Sequence, residues 1–151
     1  MRGPNPAAAV KAFTKPLQLA LSCIGNVHIT LSQGALGTVG DTHPWTLNDG
    51  TPIALGNGLL FRAGMKFETL DRGQSERRGR YRIRTREYIY EVTGPKSQPI
   101  ISAHWHPLAR NSRFAEFIRL MIEELGVTPR SNDWDKRLTQ THKVFTKYKT
   151  W

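Results

Sequence analysis

The chain has 151 residues, enough to bury one core and too few for two comfortable ones. With 38% hydrophobic and 23% charged residues it has the make-up of a folded soluble domain, and its single cysteine, Cys23, excludes an internal disulfide and a four-cysteine zinc site. The formal net charge of +10 points to polyanionic partners, nucleic acid first and anionic membrane second, beside the plain alternative of a basic soluble surface.

Residues 1–15 carry Arg2, Lys11 and Lys15, two prolines, an Ala7-Ala8-Ala9 run and no acid, and read as a loose basic arm before a single domain over 16–151. An organellar leader in that opening stays an alternative. The apolar stretch from Leu17 to Ile24 is broken by Gln18 and Ser22 and is far short of a membrane span, which points to a cytoplasmic protein without a membrane partner. Pro16 to Ile24 fits either a helix with Pro in its first turn or a strand with Leu17, Leu19 and Leu21 on one side. Val27 to Leu31 alternates as a strand, and Gln33 to Gly58 is rich in Gly, Pro and Asn, a long loop with room for a brief strand at Pro52 to Leu55.

Leu59 to Leu70 is extended, with Gly64 marking a bulge, and Asp71 to Gly79 is a charged connector. Arg80 to Thr93 forms a strand that Gly94-Pro95 turns back into a second one, Pro99 to His106. Arg113 to Leu125 is a helix with Phe114, Phe117, Ile118, Met121, Ile122 and Leu125 on one stripe, Ser112 as N-cap and Gly126 as its stop. A last helix starts at Trp134 behind Asn132 or Asp133, with Leu138, Thr141, Phe145 and Tyr148 on one side. Strands first and helices last predict an α+β domain, an antiparallel sheet packed against C-terminal helices.

Arg78, Arg80, Arg82, Arg84 and Arg86 stand at every second position, which on an extended strand places all their guanidiniums on one face. Guanidinium suits bidentate phosphate contact, and like charges in a row repel unless something anionic answers them. A register with Ile89 opposite Ile101 sets Arg86 against His104 and Arg84 against His106 on that same face. Tyr88 and Tyr90 would continue the face as stacking platforms, the mixture that RNA-binding sheets use. The alternative is a bulge between Thr85 and Glu87 that turns both tyrosines into the core.

The expected function is therefore nucleic-acid binding, RNA more than DNA. Two alternatives stand beside it. In one, His104 and His106 act as general base and acid of a metal-independent ribonuclease, with arginine stabilising the phosphorane. In the other, the arginines dock an acidic protein partner. No cofactor is expected. As metal ligands His104 and His106 lack an assigned third among His28, His43, Asp41 and Glu87. Neither the Glu that a cupin motif sets after His-x-His nor a second His-x-Thr beside His28-Ile29-Thr30, as a two-histidine phosphoesterase needs, is present.

From about Phe67 to Leu138 the chain resembles a group of uncharacterised bacterial proteins: the arginine-flanked Tyr strand, Ile100-Ile101-Ser102-Ala103-His104-Trp105-His106-Pro107, the helix around Ile118 to Val127, then Asp133-Trp134 and Leu138. It departs from them in passing from Pro107 almost directly to the helix, without their Pro-His-Leu-His segment, which counts against catalysis and metal binding. The histidine strand is more distantly similar to small toxin components of bacterial toxin and antitoxin pairs. That likeness implies an RNA target and a protein partner.

Overall fold

In the computed structural model, which describes residues 2–73, 79–96, 98–104 and 112–147, the chain runs β1 (Arg2–Gly3), α1 (Pro6–Leu21), β2 (Ile29–Leu31), β3 (Thr42–Leu47), β4 (Ile53–Gly56), β5 (Leu59–Asp71), β6 (Tyr81–Thr93), β7 (Pro99–His104), α2 (Ser112–Glu123) and α3 (Trp134–Lys147). The strands form one curled antiparallel sheet. Its spine is the pair of long strands β5 and β6, which run together from Leu60↔Thr93 to Asp71↔Tyr81. β3 and β4 share the free side of β5, β1 and β7 share that of β6, and β2 closes the far edge on β3. This is the expected α+β architecture.

The N-terminal segment departs from the expected loose arm. The Asn5 side chain accepts a hydrogen bond from the Ala8 amide at 2.8 Å, Pro6 fills a first-turn position that needs no amide donor, and α1 runs on to Leu21. Its buried stripe of Ala9, Val10, Phe13, Leu17, Ala20 and Leu21 covers the sheet, and burial of that stripe offsets the backbone hydrogen bond that Pro16 removes inside the helix. The last turns of this helix are the helical one of the two readings of Pro16 to Ile24. β3 lies within the expected loop: Thr42–Leu47 pairs with β5 despite Pro44 and buries Trp45 and Leu47.

α2 sets Phe114, Phe117, Ile118 and Met121 into the core, and Gly126, at φ +68°, lets the Val127 amide reach back to the Met121 carbonyl at 3.1 Å and end the helix. The ring of Phe114 lies 4.9 Å from that of Tyr90, and Phe117 stacks on Phe61 at 6.0 Å. α3 packs on α1 through Phe145 against Phe13 at 6.3 Å. α1 and α2 cover one face of the long strands, and the other face, that of Arg62, Lys66, Glu68, Arg84 and Ile89, carries no helix among the described residues.

Candidate functional site

Alternation gives β6 two faces as far as Thr85: Ile83 is buried beside Thr69 of β5, while Arg82 and Arg84 stand opposite Leu70 and Glu68 on the outward face. There the parity breaks. Phe67 pairs with Thr85 and Lys66 with Glu87, so Arg86 is the extra residue of a β-bulge. Beyond it the odd and even positions exchange faces, and Tyr88, Tyr90 and Val92 point under α2.

The tyrosines are thus not platforms beside the arginines. Tyr88 and Tyr90 are 2% and 0% exposed, stack on one another at 4.6 Å and belong to the core, as the bulge alternative has it. Burying two aromatic side chains is favourable by about 2 to 3 kcal/mol each, more than one interrupted ladder position costs. Burial pushes the Tyr90 phenol well above its ordinary range, and its hydroxyl has no hydrogen-bond partner among the described residues.

The hairpin register also differs from expectation. The Gly94 amide donates to the Gln98 carbonyl at 2.8 Å, which closes a short turn and pairs Thr93 with Pro99. Val92 then faces Ile101, and His104 takes the register position of Ile89. His104 is therefore not opposite Arg86. His106 and Arg78 lie outside the described residues.

The arginines that remain on the outward face meet two different environments. Arg84 and Arg86 converge on Glu68, whose carboxylate is 5% exposed: Arg84 bonds it through Nε and Nη2, and Arg86 Nη2 reaches Oε1 at 2.9 Å. Arg80 makes a bidentate pair with exposed Asp71, Nε to Oδ1 at 2.8 Å and Nη2 to Oδ2 at 2.6 Å. That bond, helped by the Gly73 amide, holds the Asp71 carboxyl down at about 2.

Arg82 stands apart. It is 8% exposed, and its pKa is lowered first by that burial and then by Arg2, Arg72 and Arg84. β1 brings Arg2 there by pairing it with Arg82, and the Arg72 amide bonds the Arg80 carbonyl at 2.9 Å. Among the described residues on this face Arg2, Arg62, Lys66, Arg72, Arg82, Arg84 and Arg86 outnumber Glu68, Glu87 and Glu91. Positive charge is in excess where β1, β5 and β6 meet.

Sequence reasoning missed Arg2, Arg72 and Glu68. For Glu68 a signal was present, because the alternation of Phe61, Met65 and Phe67 on the core side leaves Lys66 and Glu68 on the other. Arg2 had none, since its place depends on β1 joining a strand about eighty residues later.

His43 is engaged at both ring nitrogens by the hydroxyls of Ser32 and Thr38, and no group of three His, Cys, Asp or Glu side chains is placed to hold a metal among the described residues. No helix is long and apolar enough to cross a membrane among the described residues. Compared with protein-family models, with curated proteins and with solved structures, the chain matches none.

Proposed function

We propose that the outward face of β6 and β1 binds the phosphate backbone of a nucleic acid, single-stranded RNA before DNA. The observation that carries this reading is the excess of arginine and lysine over carboxylate on that face among the described residues, with Arg2 of β1 set in register beside Arg82 of β6. An excess of like charge on one face raises the free energy of the folded chain, and a polyanion laid along that face lowers it. With Tyr88 and Tyr90 in the core, affinity comes from phosphate contacts and not from base stacking. The Arg86 bulge makes the cation spacing irregular, and a flexible single strand adapts to irregular spacing better than a stiff duplex.

Titration of labelled RNA and DNA of matched length, at several salt concentrations and with each strand run on a denaturing gel afterwards, tests it. Saturable binding that weakens steeply with salt and leaves the strand whole is the expected result. No binding of either polymer near physiological salt contradicts it and returns the acidic protein partner. Shortened RNA would instead make His104 and His106 the residues to mutate.

A further inference from the structure

β2 ends the sheet order, and its outer edge is only partly answered. The Asn48 amide bonds the His28 carbonyl at 3.2 Å and the Ser32 amide bonds the Pro44 carbonyl at 3.2 Å, so the even-numbered residues pair with β3. Ile29 and Leu31 lie between them in non-hydrogen-bonded positions, opposite Leu47 and Trp45, and direct their own backbone groups away from β3. Gln18 of α1 occupies the first of those outward sites: its Nε2 donates to the Val27 carbonyl at 2.5 Å and its Oε1 accepts from the Ile29 amide at 3.1 Å. One side-chain amide thus stands where the backbone of a neighbouring strand would. The next outward groups, the Ile29 carbonyl and the Leu31 amide and carbonyl, have no hydrogen-bond partner among the described residues.

Those groups border a groove of about 1010 Å³ between β2, α1 and α3. Its apolar floor is Ala12, Leu19, Ile29, Leu31 and Val144, and Lys11 and Lys15 stand exposed on its α1 side without an ion-pair partner among the described residues. A strand edge beside a helix-walled apolar groove is the arrangement by which an extended peptide adds itself to a sheet: backbone bonds hold it, and alternate side chains fill the groove.

We infer that this groove takes an extended segment of a partner protein in which apolar residues alternate with acidic ones, paired with β2 at Ile29 and Leu31. Charge decides the occupant. The two lysines attract carboxylates, while a second copy of this chain, itself at +10, would bring its own Lys11 and Lys15 to the same edge. The site is remote in sequence and sheet order from Arg82 and stands whether or not the arginine face binds RNA.

A fluorescein-labelled heptapeptide of alternating valine and glutamate, added to the full chain, tests the inference. It is expected to bind saturably, to slow hydrogen exchange at the Leu31 amide, and to bind at least about tenfold more weakly when its alternate amides are N-methylated or its glutamates are replaced by lysine. Leu31→Pro removes the outward donor without touching a bond to β3 and should weaken the peptide in the same way, with circular dichroism confirming the fold. RNA should neither compete with the peptide nor be displaced by it. Absence of saturable binding, indifference to N-methylation, or an unprotected Leu31 amide overturns the proposal, as does a concentration-dependent dimer that protects Leu31 in the free protein.

Discussion

The two halves of β6 differ in what lies behind the side chains that leave its outward face. Up to Thr85 the strand sends arginines outward and Ile83 inward; after Arg86 it sends Tyr88, Tyr90 and Val92 inward, and Glu87, Ile89 and Glu91 remain outside. One inserted residue separates a cationic surface from an aromatic core on the same strand. The lesson is that a run of alternating arginines marks a face only for as long as the ladder keeps its parity. Residues beyond the run belong to whichever face has apolar surface to cover, here that of Phe61, Phe114 and Phe117.

The largest expected effect sharpens that contrast. Tyr88→Ala removes a buried aromatic ring and should lower stability by about 3 to 5 kcal/mol in urea unfolding, whereas a surface tyrosine would cost at most about 0.5 kcal/mol. Next comes Glu68→Gln, which takes from Arg84 and Arg86 the buried carboxylate they share. A stability loss of about 1 to 3 kcal/mol is expected, together with tighter RNA binding, because two guanidiniums are released to phosphate. Weaker binding in a folded Glu68→Gln variant would break the account of that face.

Smaller again is Tyr90→Phe. The hydroxyl is buried without a partner among the described residues, so its removal should leave stability unchanged or raise it by about 1 kcal/mol and leave RNA affinity as it was. A fall in affinity would mean that Tyr90 touches the ligand. Smallest is the Asp71 pair, which is exposed. Its carboxyl pKa is depressed, so its contribution is present above the unfolded carboxylate value and is lost as pH falls through about 2. A carbon-detected titration should show a midpoint near about 2 in the folded chain, and Arg80→Ala should move it up toward the ordinary carboxylate range.

Much of this fold could be read from residue order. The stripe of α2, its stop at Gly126, the alternation of β5 and the pairing of β6 with β7 all arise from local periodicity and turn chemistry. α1 was hidden because its first turns lack charge pairs and Pro16 looks like a start, although it sits mid-helix. β3 was hidden because Pro44 and the neighbouring glycines resemble a loop until Trp45 has a sheet to cover. The hairpin register rested on one turn, and the tighter closure at Gly94 and Gln98 moves the partner of Ile89 from Ile101 to His104. Of the site, alternation revealed Arg80, Arg82, Arg84 and Arg86, but not Arg2 or Glu68, whose places depend on pairing across the sheet.

The central claim is that polyanion binding belongs to the outward face around Arg82. It is tested most directly by comparing the salt dependence of RNA binding in two variants of equal net charge, Arg2→Gln with Arg72→Gln and Lys136→Gln with Lys143→Gln, the latter pair exposed on α3. For the arginine pair the slope of log affinity against log salt should become shallower by about 1.4, or about 0.7 for each lost phosphate contact, while the lysine pair keeps the wild-type slope. Equal changes in both variants, or a change in the α3 pair alone, would contradict the account.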